Sequence, residues 1–529
     1  MRRPPGNLPP PPPPDNLQPR VLLVNGQSAN LFDMLCPCDR QGERAAILRP
    51  DGSALTYGDL GRLSARLAHR LSELGVQPGE RVAVQVDKSA EALVLYLACL
   101  RAGAVYLPLN NGYTVAELEY FIGDAEPRLF VVAPGEKDKL QALADQAGTV
   151  LLTLGADGAG SLFDGIEQLP GEFDTVARQA EDLAAILYTS GTTGRPKGAM
   201  LSHGNLHSNA ATLAREWRFT ADDVLLHALP IYHTHGLFVA TNVTLLSRAS
   251  MHLLPKFDLD GIFAALPQAS VMMGVPTFYT RMLADRRLSR ATTEHMRLFI
   301  SGSAPLLAQT HREWEERTGH RILERYGMTE TNMNTSNPYD GERRPGTVGP
   351  PLPGVTIRIV APDTGSAVAP GEIGMIEVNG PNVFQGYWRK PEQTAADFRP
   401  DGFFVTGDLG RFDSDGYVEI VGRGKDLVIS GGLNVYPKEV EQELDALDPV
   451  VESAVIGLPH PDLGEAVTAV VEARTPTGDL EQELIATLRD RIAGFKLPKR
   501  VIFVDALPRN AMGKVQKNVL RERYAGLYD

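Results

Sequence analysis

The sequence YTSGTTGRPKG occupies residues 188–198 and directly follows a strand-like apolar run at residues 184–187. Three glycines let backbone amides turn toward an anion, and four serine and threonine hydroxyls can donate hydrogen bonds to phosphate oxygens. Lys197 adds a positive charge. It lies between Pro196 and Gly198, whereas the lysine of a P-loop is followed by serine or threonine. The pattern therefore predicts a phosphate-binding loop of another type, rather than a flexible polar linker.

The composition is that of an ordinary globular protein. Of 529 residues, 43% are hydrophobic and 22% are charged, and at roughly 150 residues per domain the length predicts two to four domains. Lysine and arginine number 52 against 65 aspartates and glutamates, so the formal net charge is −13. This charge disfavours nucleic acid and anionic lipid, and the most apolar stretch, Ala92–Leu100, is far shorter than a membrane span. We expect neither partner. The presence of only three cysteines fits a reduced, cytoplasmic protein.

Helix and strand patterns alternate outward from the loop. Leucines recur at helical spacing from Leu60 to Leu71, behind a capping box of Thr56 and Asp59. Residues 90–101 are typical of a helix, and residues 129–132 of a strand. This alternation predicts an α/β fold with layered, largely parallel sheets and helices in a large N-terminal domain.

A change of pattern near residues 422–426 marks a domain boundary. After it come short strand signals and two predicted helices, at residues 437–447 and 480–494, in a region the size of one small α+β domain. The first 27 residues are rich in proline, which favours an extended, disordered tail. We therefore assign a tail to residues 1–27, a large N-terminal domain to residues 28–421, a hinge to residues 422–426 and a small C-terminal domain to residues 427–529.

The loop at 188–198 resembles a signature of the adenylate-forming superfamily, which includes acyl-CoA synthetases, firefly luciferases and adenylation domains of peptide synthetases. The resemblance extends from about residue 28 to 525 and includes SGSAP at 301–305, ERYGMTE at 324–330, TGD at 406–408 and NAMGK at 510–514. The resemblance assigns the following residues to ATP: Thr189, Ser190, Gly191, Thr192, Thr193, Gly194, Lys197, Ser303, Ala304, Pro305, Glu324, Arg325, Tyr326, Thr329, Asp408, Arg423 and Lys514.

The resemblance also implies individual roles for some of these residues. Tyr326 would stack on adenine, Thr329 would touch the α-phosphate, and Glu330 would hold Mg²⁺, a hard cation that prefers carboxylate oxygen. Asp408 would accept hydrogen bonds from both ribose hydroxyls, and Arg423 would reach the same ribose. Lys197, Glu330 and Lys514 are the predicted catalytic residues.

The implied reaction has two half-reactions. A substrate carboxylate first attacks the α-phosphate of ATP, while Lys514 neutralises the developing charge. The small C-terminal domain, which the resemblance implies is mobile, then turns about the hinge residue Lys425 and presents Gly431 and Gly432 to the pantetheine arm of coenzyme A. The thiolate of coenzyme A, which is a substrate, displaces AMP.

The acyl substrate is predicted from residues 229–334. His233 occupies the family's pocket-gating position, and Arg281 follows an apolar run that should line the pocket. A buried, unpaired guanidinium is costly, so an anion should meet Arg281. These segments resemble those of malonyl-CoA synthetases, in which an arginine grips the second carboxylate of the substrate. The predicted substrate residues are His233, Arg281, Gly302, Ser303 and Met333.

Three other functions stay open from the sequence. One is an acyl- or aryl-CoA synthetase for another acid, in which Arg281 is structural. Another is a stand-alone amino-acid adenylation domain, although the segment around His233 and His235 offers no aspartate for an amino group. The third is a non-enzymatic ATP-binding homologue. We expect a dicarboxylate, ATP and coenzyme A as small-molecule partners, and a monomer or homodimer.

Overall fold

The computed structural model describes residues 28–36, 42–189, 196–362, 364–430, 433–475, 478–510 and 513–528. The predicted tail at residues 1–27 lies outside the described residues. So do residues 190–194 of the phosphate loop, and Gly431 and Gly432 of the predicted coenzyme A segment.

Six strands form the first large sheet: β3 (Arg81–Gln85), β4 (Val105–Pro108), β5 (Leu129–Val132), β6 (Val150–Thr153), β7 (Leu183–Thr189) and β8 (Lys197–Ser202). Their order is β6-β5-β3-β4-β7-β8. All neighbours are parallel except β7 and β8, which are antiparallel. The predicted phosphate loop therefore joins two antiparallel strands at one edge of this sheet.

Eight strands form the second large sheet: β1 (Ala45–Leu48), β2 (Ala54–Thr56), β9 (Val224–His227), β10 (Ser250–Leu253), β11 (Val271–Gly274), β12 (Leu298–Ser301), β13 (Leu323–Met328) and β14 (Asn332–Ser336). Their order is β14-β13-β12-β11-β9-β10-β1-β2. The inner strands are parallel, and the two outermost pairs are antiparallel.

The helices of the large domain cover both sheets. They are α1 (Leu31–Leu35), α2 (Tyr57–Glu73), α3 (Ala90–Arg101), α4 (Val115–Ala125), α5 (Lys137–Ala147), α6 (His203–Glu216), α7 (Asn242–Leu246), α8 (Leu259–Ala265), α9 (Pro276–Leu283), α10 (Arg290–Thr293), α11 (Ala308–Thr318) and α12 (Pro391–Asp397). A π-helical segment, His235–Thr241, precedes α7.

The two large sheets and the helices that cover their faces form five layers. Val82 and Val84 of β3 face a core shared with α2, α3 and α6, whereas Ala83 faces a second core with α4 and α5. In the second sheet, Met273 of β11 faces the shared core, and Met272 faces α8, α9 and α11. Successive strand residues point to opposite faces, so each sheet is covered on both sides. The order is helices, sheet, helices, sheet, helices.

A smaller antiparallel sheet completes the large domain. It contains β15 (Thr356–Val360), β16 (Gly374–Asn379), β17 (Phe404–Phe412) and β18 (Val418–Arg423). A short 3₁₀ turn, Gly424–Asp426, follows β18 and leads into a separate sheet. This turn coincides with the predicted hinge.

The C-terminal domain is a mixed sheet with three helices. It contains β19 (Val428–Ser430), β20 (Leu433–Val435), β21 (Val450–His460), β22 (Gly464–Ala473), β23 (Arg500–Val504), α13 (Pro437–Asp445), α14 (Leu480–Arg489) and α15 (Lys517–Arg523). The strand pairs are antiparallel except β22 and β23, which are parallel. Branched apolar side chains of the sheet pack against α13 and α14.

The structure confirms the fold class and several local predictions. The helix at 90–101, the strand at 129–132 and the capping box of Thr56 and Asp59 are all present. The sequence predicted largely parallel sheets, but the strands of the β15–β18 sheet are antiparallel. The helix predicted at 480–494 was too long, since α14 ends at Arg489 and Gly494 begins a separate 3₁₀ turn. Among the described residues, no helix has the length and apolarity to cross a membrane.

Candidate active site

Lys197, at the start of β8, belongs to a buried polar group beside the phosphate loop. Its side-chain nitrogen lies 3.2 Å from Oδ2 of Asp397 and 3.9 Å from the centre of the Tyr387 ring. The Tyr387 hydroxyl donates to Oε1 of Glu330 over 3.2 Å. The structure thus brings the predicted residues Lys197 and Glu330 together through Tyr387. The sequence analysis missed Tyr387 and Asp397, which come from α12 and the segment before it.

Glu330 lies in the turn between β13 and β14 and is buried. Burial raises the pKa of its carboxyl group, and Arg423, Tyr387 and Lys197 oppose that shift. Among the described residues, no cluster of three or more histidine, cysteine, aspartate or glutamate side chains is placed to hold a metal. A cation bound here would therefore take one protein carboxylate and obtain its other ligands from phosphate and water, a donor set that suits Mg²⁺.

Asp408 lies at the centre of a second polar group, formed by three strands. The Tyr326 hydroxyl donates to its Oδ2 over 2.5 Å, and Nε of Arg423 lies 2.6 Å from its Oδ1. Asp408 and Arg423 are cross-strand neighbours on β17 and β18. Burial and then the Asp408 carboxylate raise the pKa of Tyr326, and the same carboxylate raises the pKa of Arg423. Each carboxylate oxygen carries two lone pairs, so Asp408 can still accept further donors such as ribose hydroxyls.

Lys514 is carried by a loop of the C-terminal domain that reaches the large domain. The preceding residue, Gly513, contacts Thr277 at the start of α9, since a Cβ added at Gly513 would lie 3.2 Å from its Oγ1. Lys514 is exposed toward the cleft. The pKa of its ammonium group is nevertheless lowered, because the cleft walls displace water and Arg423 adds positive charge. Lys425, in the 3₁₀ turn, is exposed and also lowers it.

The segment that carries His233 and His235 makes a tight turn after β9. A Cβ added at Gly236 would lie 2.0 Å from the carbonyl oxygen of Pro230, so only glycine fits this turn. Nε2 of His227 lies 2.9 Å from the Gly236 oxygen and must carry the proton, because a carbonyl only accepts. Lys88 donates to the other ring nitrogen over 3.0 Å. This Lys88–His227 pair, absent from our predictions, joins partly buried Lys88 to buried His227 and fixes the turn.

His235 and Ser303 join this turn to the end of β12. Nδ1 of His235 lies 3.2 Å from Oγ of Ser303, which adopts a left-handed backbone conformation with φ of 70°. Burial and the nearby guanidinium of Arg325 lower the pKa of His235, and the same causes lower that of His233 to about 4. Both rings are therefore neutral at pH 7 and can accept as well as donate.

Arg325 is the most unusual side chain of the site. It is only 4% exposed, and its Nε and Nη2 have no hydrogen-bond partner among the described residues. Its guanidinium lies flat on Gly302, where an added Cβ would come within 2.2 Å of Cζ. Loss of solvent lowers the pKa of Arg325 to about 9. A buried cation without a counter-ion marks a site for an anionic group.

The structure changes the role predicted for Arg325. We grouped it with the ATP residues, but it lies beside Gly302 and His233, which were predicted for the acyl substrate, and beside His235. Neighbouring residues of a strand point to opposite faces, so Tyr326 reaches Asp408 while Arg325 reaches the acyl side. The alternation of side chains between the two faces of β13 was the signal in the sequence that would have assigned Arg325 and Tyr326 to different sides of the site.

The prediction that Arg281 is buried was wrong. It lies in the last turn of α9 and is exposed, because Tyr279 and Met282 form the buried face of that helix. Its guanidinium carbon lies 6.0 Å from the centre of the Phe257 ring. Met333, in contrast, is buried on β14 as expected for a residue that shapes a pocket. The argument from burial thus applies to Arg325 and not to Arg281.

Other predicted ATP residues have varied surroundings. Oε1 of Glu324 lies 3.4 Å from Nδ1 of His311 on α11, so its contact is with a packing helix. Thr189, at the end of β7, donates to the carbonyl oxygen of Lys197 over 3.4 Å. Thr329 precedes Glu330 in its turn, and Ala304 and Pro305 follow Ser303, with Pro305 exposed.

A cavity of about 500 Å³ adjoins the acyl side of the site. Its walls are largely apolar and come from the segment before His233, from the residue between β11 and α9, from α9, and from the segments after β3 and β10. They include Lys88, Tyr232, Phe257, Val275 and Phe278. The cavity is therefore continuous with the elements that carry the predicted substrate residues.

Comparison with known proteins gives consistent matches. The AMP-binding enzyme family matches residues 37–388, and the C-terminal domain of AMP-binding enzymes matches residues 439–514. The crystal structure of ATP-bound MatB from Rhodopseudomonas palustris is 61% identical, with a TM-score of 0.93, and covers 95% of this chain and 100% of that chain. A malonate–CoA ligase from Arabidopsis thaliana is 34% identical over 94% of this chain and 90% of its own length. A feruloyl-CoA synthase from an Amycolatopsis species is 38% identical over 92% of this chain and 97% of its own length.

The two family models thus fall one in each domain, and the relatives cover more than nine-tenths of the chain. The chain is a member of the AMP-binding enzyme family and has the two-domain fold of the adenylate-forming enzymes.

Proposed function

We propose that the protein is an AMP-forming malonate–CoA ligase, which converts malonate, ATP and coenzyme A into malonyl-CoA, AMP and diphosphate through a malonyl-adenylate. The observation that carries this proposal is the buried guanidinium of Arg325, which has no counter-ion in the part of the chain that the structure describes. An acid with one carboxylate would leave this cation uncompensated while its only anionic group reacts. A short dicarboxylate supplies a second anion, which restores a counter-charge to Arg325.

The remaining acyl-side residues are consistent with a short substrate. The neutral rings of His233 and His235 offer hydrogen bonds without adding charge, and Ser303 adds a hydroxyl. We propose that Met333, which is buried on β14, closes the pocket. We propose that exposed Arg281 meets the substrate at the mouth of the cleft, where its field attracts anions. Methylmalonate differs by one methyl group, which a pocket distinguishes by only ~1–3 kcal/mol, so it belongs in the same substrate test.

The opposite side of the site suits ATP. We propose that Asp408 and Arg423 bind the ribose, Tyr326 the adenine, and Lys197 the phosphates. Lys514 approaches the same region from the C-terminal domain, so the two lysines can stabilise charge that develops on the α-phosphate. We propose that Glu330 binds Mg²⁺, which would neutralise phosphate charge when bound. The roles of residues 190–194 stay predictions, because they lie outside the described residues.

The second half-reaction requires coenzyme A to reach the adenylate. We propose that the 3₁₀ turn at Gly424–Asp426, with Lys425 at its centre, is the hinge about which the C-terminal domain moves. That motion would withdraw Lys514 and bring Gly431 and Gly432 toward the acyl group. Cytoplasmic location, oligomeric state and the absence of nucleic-acid and membrane partners likewise stay predictions.

A second candidate is an aryl-CoA synthetase. The cavity of about 500 Å³ contains the stacked rings of Phe257 and Phe278, whose centres are 4.1 Å apart, and it would hold an aromatic acid. The feruloyl-CoA synthase is one of the relatives reported above. An aryl acid leaves Arg325 unpaired, so the two candidates differ in their use of this residue.

The test is AMP release that depends on coenzyme A, measured with purified protein, ATP and Mg²⁺ across malonate, methylmalonate, acetate, octanoate and ferulate. The proposal predicts a preference for malonate of roughly 10³-fold over acetate, because a monocarboxylate leaves a buried cation unpaired. A preference for ferulate or octanoate would overturn the substrate and keep the family. Binding of ATP with no release of AMP on any acid would support a non-enzymatic homologue.

A further inference from the structure

The loop that carries Lys514 is a closed turn. The Asn510 amide donates to the Lys514 carbonyl oxygen over 2.9 Å, and the Lys514 amide donates to Oδ1 of Asn510 over 3.0 Å. Gly513 closes the turn with a left-handed φ of 74°. These contacts hold the ends of the turn together, and Leu507 and Val515 on either side of it pack against β21 and β22.

Arg509 adds a polar contact between the turn and the sheet. Its Nη1 donates to the carbonyl oxygen of Gly513 over 2.7 Å, and its Nη2 forms an ion pair with Oε2 of Glu452 on β21. One guanidinium therefore ties the residue before Lys514 to a strand in the sheet of the C-terminal domain. Two donors held in a rigid plane orient an acceptor more tightly than a single flexible contact does. Both side chains are partly buried, so solvent screens their attraction only in part.

The far side of the turn rests on the large domain. Gly513 approaches Thr277 of α9, and Lys514 lies close enough to Arg423 and Asp408 for their charges to shift its pKa. The ammonium group is thus placed between a clamp in one domain and the nucleotide side of the site in the other. A small rotation of the turn would move the end of this long side chain by a larger distance.

We propose that Arg509, held by Glu452, is a positioning residue for Lys514 in adenylate formation. The inference rests on the proposed function, because it requires Lys514 to act in the first half-reaction and to be withdrawn in the second. Arg509 does not touch substrate in this account. Its loss should slow adenylate formation selectively, and a purely structural ion pair would not show that selectivity.

The experiment measures the two half-reactions separately in the full-length chain. The first assay follows malonate-dependent diphosphate release without coenzyme A, and the second follows malonyl-CoA formed from supplied malonyl-adenylate. Arg509→Gln should slow the first by about 10- to 100-fold, as expected for a displaced catalytic group, and change the second by less than about twofold. Glu452→Gln removes the charge that holds Arg509 but leaves the arginine itself in the chain, so it should show a smaller loss in the same direction. Arg509→Lys should recover part of the first rate.

Two reference variants separate the possible outcomes. Lys514→Ala should show the same selective loss in stronger form. Arg500→Gln breaks a comparable ion pair, with Nε 2.9 Å from Oε1 of Glu481, that does not touch the loop, and should leave both rates unchanged. The inference is overturned if Arg509→Gln and Glu452→Gln slow both half-reactions equally, or neither. If the unmodified protein releases no diphosphate with malonate, or Lys514→Ala is fully active, the proposed function itself fails.

Discussion

Replacement of Arg325 by methionine should make the protein more stable and nearly inactive with malonate. The guanidinium is 4% exposed and two of its nitrogens have no partner among the described residues, so without substrate it destabilises the fold. Substitution of a buried charge by an apolar side chain of similar volume gains about 1–4 kcal/mol. The same change leaves the second carboxylate of malonate without a partner, which costs about 3–5 kcal/mol. That loss corresponds to roughly 200- to 5,000-fold in kcat/KM.

Arg317 provides a matched control. It donates to the carbonyl oxygens of Leu288, Leu283 and Asp285 over 2.9, 2.7 and 2.8 Å and lies on α11. Arg317→Met should therefore lower the free energy of unfolding by about 2 kcal/mol or more and leave the substrate preference unchanged. Urea unfolding and steady-state kinetics of both variants provide the comparison. The account is wrong if Arg325→Met destabilises the fold as Arg317→Met does, or if it retains the preference for malonate.

Three further predictions follow from particular contacts. Gly302→Ala places a Cβ 2.2 Å from Cζ of Arg325. It should raise KM for malonate about tenfold or more and change KM for ATP little. Equal changes in the two KM values would contradict the position of Arg325 on the acyl side. Asp408→Asn removes the charge partner of Arg423 and should raise KM for ATP about tenfold, with an unchanged KM for malonate as its signature. Burial raises the pKa of Asp445 to about 7, and nearby Glu441 and Glu452 also raise it. Its ionisation should therefore destabilise the folded state progressively from about pH 4 to pH 7, by up to about 4 kcal/mol. Asp445→Asn should accordingly raise Tm more at pH 8 than at pH 5. An equal rise in Tm at the two pH values would refute this prediction.

Local sequence patterns predicted much of the fold. The helix at 90–101 and the strand at 129–132 have the predicted bounds, because apolar spacing and a clear start signal agree there. The phosphate loop lies between β7 and β8, as expected from the strand before it. The antiparallel β15–β18 sheet was not predicted, since the pattern of single strands does not state how distant strands pair.

The site was predicted less completely, because its contacts join distant parts of the chain. Lys197 pairs with Asp397 across 200 positions, and Lys88 bonds His227 across 139 positions. No local pattern reports such contacts. Arg281 was assigned to the interior from an apolar run, but its place on α9 turns it outward. The unpaired cation that the sequence argument required is Arg325, and only the packing of β13 against Gly302 reveals it.

Transfer of ¹⁸O from labelled malonate to AMP tests the central claim most directly. The protein would be incubated with ATP, Mg²⁺, coenzyme A and malonate carrying ¹⁸O in its carboxylates, and the AMP analysed by mass spectrometry. Attack of a malonate carboxylate on the α-phosphate leaves one malonate oxygen on that phosphate when the thiolate displaces AMP. The account predicts malonate-dependent AMP with one ¹⁸O atom. Unlabelled AMP, or label in inorganic phosphate with ADP as the other product, would contradict it.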